Sequence, residues 1–170
     1  VAPLPRAVRF EEKILKTVTV VSDTHGNRKF LDGLDGVFAE SDYIIHLGDT
    51  SADGAYIRAK YPDKTYVING NCDPVKLGED ESVIEIENLK IFLCHGHLYS
   101  AKHTLSKLAA RAKELGCKIA LYGHTHRARE DETDGVTLIN PGCGARYASK
   151  SYLYLVVNGD KAVSKIVASD

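Results

Sequence analysis

The chain has 170 residues, of which 44% are hydrophobic and 26% are charged, and its formal net charge is −1. This length suits one domain with a sizeable core. The nearly balanced charge gives no reason to expect a nucleic-acid-binding surface or attraction to a membrane. No apolar stretch approaches the roughly 18 residues that a membrane helix needs, so no membrane partner is expected.

The N-terminal segment and the cysteines bear on domain organisation and location. Residues 1–16 carry charged side chains and no apolar h-region, so no signal peptide is expected there. They are predicted to be an N-terminal extension or tail, followed by a single domain over residues 17–170. Met is absent, even at position 1, which leaves the origin of this segment open. Four cysteines without C-x-x-C spacing are predicted to be free thiols in the cytoplasm: Cys72, Cys94, Cys117 and Cys143.

Short apolar runs rich in β-branched residues predict buried strands, each ending at a polar turn. In chain order these runs are Thr17–Val21, Tyr43–Leu47, Thr65–Ile68, Leu89–Leu93, Ile119–Tyr122 and Val136–Ile139. The alternating segment Ser82–Glu87 is typical of an edge or outer strand. Asn158-Gly159 predicts a hairpin between Tyr152–Val157 and Ala162–Val167.

Two segments between these strands have helical spacing of apolar residues. They are Phe30–Ala39 and His103–Leu115, and Gly116 ends the second. Strands that alternate with helices predict an α/β domain. In such folds ligands bind beyond the carboxyl ends of the strands, so side chains that follow the strands are the candidates for a site.

Seven metal-binding side chains lie at these strand ends: Asp23, His25, Asp49, Asn71, His95, His124 and His126. Asp-x-His alone is a weak indication, because a capping Asp beside a surface His gives the same pattern. Two His-x-His triplets, 95–97 and 124–126, are harder to explain without a metal. Mixed imidazole and carboxylate ligands favour a transition metal. The arrangement predicts a two-metal site, and such sites usually cleave phosphate esters.

The ordered motifs resemble, in full, the pattern of the calcineurin-like metallophosphoesterases: Asp23-x-His25, Gly48-Asp49, Gly70-Asn71-Cys72-Asp73, His95-Gly96-His97 and Gly123-His124-x-His126. The segments 94–99 and Asn140-Pro141-Gly142 are similar to the small bacterial and archaeal phosphodiesterase branch, the YfcE/MJ0936-like proteins. The resemblance spans about residues 17–157. It implies an α/β fold, a four-layer αββα sandwich with the site at one edge.

The resemblance also implies two divalent metal ions per chain. It assigns one ion to Asp23, His25, Asp49 and His126, and the other to Asp49, Asn71, His95 and His124, with Asp49 shared. Manganese is the first candidate, and zinc, iron, nickel and magnesium are the alternatives. Two carboxylates and one bridging hydroxide leave a net charge of about +1, which attracts an anionic phosphate ester.

The sequence offers two candidates for the group that protonates the leaving oxygen. Many larger members of the family have His where this chain has Cys72, and a thiol has no cationic form. His97 is the nearest alternative, although a position at the rim of the site explains it equally well. Asn71 and Asp73 are predicted to assist catalysis, Asp73 by orienting a His or a backbone group. Cys72 and Arg146 are predicted to contact substrate, but the loop that contains Arg146 has a purely structural alternative.

Two functions are weighed. The first is a metal-dependent phosphodiesterase, in which a metal-bridging hydroxide attacks a small phosphate-ester substrate in line. The alternative is a metal-binding protein-interaction scaffold of the same fold, similar to a retromer subunit with a degraded site. The complete ligand set favours the enzyme. A structural zinc protein would need Cys-rich clusters that the sequence lacks. The sequence does not determine the oligomeric state and is compatible with a homo-oligomer.

Overall fold

The computed structural model describes residues 15–169. The predicted N-terminal extension lies outside the described residues except for its last two, and the first strand begins at Lys16. The first sheet has the order β10-β9-β1-β2-β3. Its strands are β1 (Lys16–Val21), β2 (Tyr43–His46), β3 (Thr65–Val67), β9 (Lys150–Asn158) and β10 (Lys161–Ser169).

The second sheet has the order β4-β5-β6-β8-β7. Its strands are β4 (Glu81–Ile86), β5 (Leu89–Cys94), β6 (Ile119–Leu121), β7 (Arg129–Thr133) and β8 (Val136–Asn140). Both sheets are mixed: β1, β2 and β3 run parallel, as do β5, β6 and β8, while the remaining strands pair antiparallel. The predicted hairpin is present as β9–β10.

Helices cover the outer faces of the two sheets. They are α1 (Arg28–Gly33), α2 (Asp35–Glu40), α3 (Ser51–Lys60) and α4 (Ser106–Glu114), and His97–Tyr99 forms a 3₁₀ turn. The first three pack on the first sheet through a cluster that includes Phe30 and Ile57. Helix α4 packs on the second sheet through Leu108 and Ala112. The predicted four-layer αββα sandwich is therefore confirmed.

Strand alternation explains the layers. Val18 and Val20 of β1 face the second sheet and join a buried cluster with Ile91 and Leu121. The intervening Thr19 faces the helices, where its hydroxyl lies 2.6 Å from that of Ser41. Burying one such Val, Leu or Ile side chain contributes about 1.5–3 kcal/mol, so the core between the sheets is a large source of stability.

Three elements differ from the sequence prediction. The helix predicted over residues 30–39 is two short helices that meet at Leu34, consistent with the low helix propensity of Gly33 and Gly36. Helix α3 was missed because Ile57 is its only buried hydrophobic side chain. Strand β7 was missed because an exposed edge strand with the sequence REDET has no apolar alternation.

The parallel strands end at the same edge of the sandwich, where the loops that contain the candidate ligands follow β1, β2, β3, β5 and β6. Within residues 15–169, no helix is long and apolar enough to cross a membrane. The four cysteines are free thiols, as predicted, and Cys72 alone among them is exposed.

Candidate metal centre

Six of the seven predicted ligands form two groups, each with ligand atoms within 4.8 Å of one another. Asp23, His25 and His126 form the first group, and Asp49, His95 and His124 form the second. The groups adjoin, because His25 Nε2 lies 4.0 Å from Asp49 Oδ2 and His95 Nε2 lies 3.9 Å from Asp23 Oδ1. The structure thus brings four imidazoles and two carboxylates together in two adjoining sets of metal-binding side chains.

The seventh predicted ligand, Asn71, lies on the same edge but is more exposed. The neighbouring N–H of Cys72 donates to Asp49 Oδ1 at 2.9 Å, which places this turn against the centre. The Asn71 amide nitrogen donates to the Cys72 sulfur at 3.5 Å, so the amide oxygen is left to bind a cation.

The ligand loops have an uncommon backbone conformation. Of eight non-glycine residues with positive φ in the described chain, five are candidate ligands: Asp23, His25, Asp49, His124 and His126. Left-handed backbone is costly for residues with a side chain, and such strain concentrates at functional sites. Backbone hydrogen bonds hold two of these loops together, because the N–H groups of Asp23 and His25 donate to the carbonyls of Gly48 and Asp49.

Asp23 is fixed from one side only. Its Oδ2 accepts hydrogen bonds from the Ser22 hydroxyl and from the backbone N–H of His124, the latter at 3.0 Å. Its Oδ1 lies 3.1 Å from His126 Nε2. Gly123 makes this packing possible, since a Cβ there would lie 2.0 Å from the Ser22 hydroxyl oxygen.

Asp73 supports the loop that contains Asp49. Its carboxylate accepts hydrogen bonds from the backbone N–H groups of Asp49, Gly70 and Ser51 at 3.2, 2.6 and 2.7 Å. Of the two roles weighed for Asp73, the structure shows the orientation of backbone groups. A carboxylate that accepts three backbone hydrogen bonds holds the loop in place and so positions Asp49.

Two buried atoms that could bind a metal lack a hydrogen-bond partner. Asp23 and His95 are fully buried. Asp23 Oδ1 lies 3.1 Å from His126 Nε2, and His95 Nε2 lies 3.3 Å from Asp49 Oδ2, but neither contact has hydrogen-bond geometry, so both atoms are without a hydrogen-bond partner in the described part of the chain. Leaving a buried polar atom unpaired costs free energy, unless another ligand satisfies it. A divalent cation fits both atoms, because carboxylate oxygen and neutral imidazole nitrogen are ordinary ligands of transition metals.

The charges of the protein side chains at the centre are strongly interdependent. Burial acts to raise the pKa of the Asp49 carboxyl, but the contacts with His95 and with the Cys72 N–H outweigh it and hold that pKa well below its usual range. Burial acts to lower the pKa of His95, but Asp49 and Asp23 outweigh it and raise that pKa. Burial and His95 lower the pKa of His124 to about 4. A cation would replace the proton that the two carboxylates favour on His95.

A buried network behind the first ligand loop was not predicted from the sequence. His46 Nδ1 accepts a hydrogen bond from the Gly48 N–H at 3.1 Å, so its Nε2 carries the proton and donates it to the Thr24 hydroxyl at 2.8 Å. Thr24 in turn donates to Asp53 Oδ2 at 2.6 Å. Asp53 also accepts from the Arg28 guanidinium at 2.9 Å. The network ties the loop of residues 23–28 to the loop after β2.

His97 faces the centre without joining either group of ligands. Its ring centroid lies 5.4 Å from that of His95 and 6.1 Å from that of His124. Its Nδ1 is buried and has no hydrogen-bond partner among residues 15–169. Burial and the neighbouring His95 lower its pKa. The position allows either of the predicted interpretations, a proton donor or a residue at the rim.

The two predicted substrate contacts have different surroundings. Cys72 is exposed beside Asp49, and partial desolvation of its sulfur together with the Asp49 charge raises the pKa of the thiol, which stays protonated. Arg146 lines a groove with Asn27, Phe30 and Lys150, and no hydrogen bond or ion pair within the described residues joins its side chain to the ligands. The next residue, Tyr147, lies at the centre instead, with its ring 6.3 Å from His25 and 6.2 Å from His126. No sequence pattern indicated Tyr147.

Comparison with known proteins agrees with this geometry. The model of the calcineurin-like phosphoesterase superfamily domain matches residues 17–161. The chain belongs to this superfamily, whose members use divalent metals. It is 32% identical to the probable metallophosphoesterase YsnB of Bacillus subtilis over 85% of this chain and 86% of that protein.

Two further similarities bear on function and fold. Phosphodiesterase MJ0936 of Methanocaldococcus jannaschii is 38% identical over 39% of this chain and 37% of its own length. The crystal structure of Vps29 from Entamoeba histolytica complexed with Zn²⁺ superposes with a TM-score of 0.72, covering 89% of this chain and 98% of that one at 23% identity. The second similarity shows the fold alone.

Proposed function

We propose that this protein is a phosphodiesterase whose centre holds two divalent cations, manganese first among the candidates. The observation that carries the proposal is the pair of adjoining ligand groups. They contain two buried atoms, Asp23 Oδ1 and His95 Nε2, that have no hydrogen-bond partner in the described chain and could bind a cation. Asp23, His25 and His126 would hold one cation, and Asn71, His95 and His124 the other, with Asp49 between them. Cations held there would supply Lewis acidity and would lower the pKa of a bound water, so that hydroxide is available to attack phosphorus.

The chain's own residues give this chemistry its geometry. Asp73 and the His46–Thr24–Asp53 network hold the two carboxylate loops, so Asp23 and Asp49 are oriented before substrate binds. His97 faces the same space and is placed to donate a hydrogen bond to a phosphoryl or leaving oxygen. Tyr147 borders the centre on the side of His25 and His126, where it can cover part of the ester.

The experiment is hydrolysis of bis(p-nitrophenyl) phosphate by the full-length chain. The protein is stripped with a chelator and reloaded separately with manganese, zinc, nickel or magnesium. We expect no p-nitrophenol release from the stripped protein and restored release with at least one metal. If elemental analysis shows bound metal and none of the four restores hydrolysis, the proposal is wrong.

The second candidate function is a metal-binding scaffold for protein contacts, which the similarity to a Vps29 fold favours. This alternative predicts bound cations without turnover, so the same experiment separates the two functions. Free thiols and the ordinary charge balance also lead us to propose a cytoplasmic location and a small phosphate ester rather than a nucleic acid as substrate.

A further inference from the structure

A basic pocket lies beside the His124-Thr125-His126 loop. It has a volume of about 350 Å³, and its polar lining consists of Lys102, Tyr122, Thr125, Arg127 and Arg129. We call it the Lys102 pocket. At about 30 Å³ per water molecule, it has room for about a dozen waters, which is ample for a phosphate group.

Two of its three cations have no anionic partner. The side chains of Lys102 and Arg127 make no ion pair or hydrogen bond within residues 15–169, whereas Arg129 pairs with Asp131 at 2.6 and 2.7 Å. The pocket therefore has an uncompensated charge of about +2, with one further guanidinium already neutralised. Such clustering on a chain whose net charge is −1 indicates an anionic ligand.

One of the residues that line the pocket, Tyr122, has a buried hydroxyl without a partner. Tyr122 is fully buried, and its hydroxyl is among the few buried side-chain atoms without a hydrogen-bond partner in the described chain. A phenol is protonated at neutral pH and donates to an anion. A buried hydroxyl without a partner is costly, so a ligand oxygen or an ordered water is expected there.

The Lys102 pocket adjoins the metal centre through two loops. Thr125 lines the pocket and lies between the candidate ligands His124 and His126, and Asn140 holds it with a 3.0 Å hydrogen bond. On the other side, a Cβ added at Gly96, between His95 and His97, would lie 3.5 Å from the Tyr122 ring. A substrate whose phosphodiester reaches the metal centre is thus next to this pocket.

We propose that the Lys102 pocket binds a second phosphate group of the substrate, so that the substrate class is a phosphodiester that carries an additional phosphate. Lys102 and Arg127 would pair with its charge, and the Tyr122 and Thr125 hydroxyls would donate to its oxygens. The substrate assignment rests on the proposed phosphodiesterase function, whereas the phosphate site itself does not.

The first test measures binding of inorganic phosphate to the full-length chain without added metal, from amide chemical shifts in NMR spectra. We expect saturable shifts at residues 102 and 125–127, with half-saturation on the order of 1 mM. Lys102→Gln combined with Arg127→Gln should weaken binding about tenfold, and Tyr122→Phe, which keeps the ring packing, about threefold. The control Lys161→Gln, at the far end of the β9–β10 hairpin, should leave binding within twofold. Unsaturated shifts, or an unchanged double variant, overturn the site.

The second test uses the metal-loaded protein and two aryl phosphodiesters that differ only by an added terminal phosphate. We expect a KM about tenfold lower for the substrate with the added phosphate, and a KM ratio near one in the Lys102→Gln, Arg127→Gln variant. A ratio that the variant leaves unchanged overturns the substrate class. Phosphate binding without hydrolysis of either ester would refute the phosphodiesterase and leave the pocket standing, so the two failures are distinguishable.

Discussion

His95 Nδ1 lies 2.7 Å from the carbonyl oxygen of Leu47. Because a carbonyl only accepts, Nδ1 carries the proton in the neutral ring and Nε2 keeps its lone pair for a cation. Leu47 follows a strand of the first sheet, and His95 follows a strand of the second. One hydrogen bond therefore joins the two sheets at the site and selects the imidazole tautomer that a metal needs.

The first prediction concerns metal content. The wild-type chain is expected to bind two divalent cations, and Asp49→Ala or Asn71→Ala is expected to bind fewer and to lose more than tenfold in kcat, above about 1.4 kcal/mol in barrier. Asp49 adjoins both ligand groups, whereas the core is formed by apolar strands, so folding should persist.

Elemental analysis, anomalous scattering and turnover check this result. The exposed Asp160→Asn is the control, and one occupied position in the wild type at saturating metal would contradict it.

The second prediction concerns the network behind the ligand loops. Asp53→Asn should destabilise the protein by about 1–3 kcal/mol, because an amide cannot accept from Thr24, Gly26 and Arg28 without turning a donor toward one of them. For a domain of this size, that corresponds to a fall of roughly 2–12 °C in Tm. Thermal unfolding measures it. Asp160→Asn, in an exposed pair with Lys118, should shift Tm far less, and equal shifts would show that the network adds nothing.

The sequence indicated which side chains would lie together, because each proposed ligand follows a buried parallel strand and such strands bring their carboxyl ends to one edge; six of the seven form the two groups. It did not predict the supports. His46 and Asp53 lie within a strand and a helix, and they belong to one network only because the Thr24 hydroxyl contacts both. Tyr147 lies beside His25 because of the tertiary fold, and no local sequence pattern indicates this. Arg146, whose positive charge suggested a phosphate contact, lines another groove.

The third prediction is a pH dependence that arises from His46. Burial lowers the pKa of this imidazole from 6.5 to about 4, so between these two pH values the unfolded chain is protonated at His46 and the folded protein is not. Its contribution to stability is present above pH 6.5 and is lost as the pH falls, by about 2 kcal/mol between pH 7 and 5. His95 and His126, whose pKa values are raised, act in the opposite direction.

The measurement that isolates His46 is denaturant unfolding of the metal-free wild type and of His46→Gln at both pH values. The variant lacks the titrating group and keeps the other histidines. Its loss of unfolding free energy on going from pH 7 to 5 should be smaller than that of the wild type by about 2 kcal/mol. Equal losses would mean that His46 titrates alike in both states.

The last prediction concerns the leaving group. Cys72 lies beside Asp49 as a neutral thiol. From the family resemblance, many larger members have His at this position. An aryloxide departs without a proton, whereas an alkoxide needs one. The wild type should therefore hydrolyse aryl esters far faster than alkyl esters, because general acid assistance is typically worth about 10²–10⁴-fold.

A series of esters with graded leaving-group pKa measures how steeply the rate depends on that pKa, and Cys72→His should make the dependence flatter. A flat wild-type series that turns steep only in His97→Ala would instead identify His97 as the proton donor, since its ring faces His95 and His124 at 5.4 and 6.1 Å.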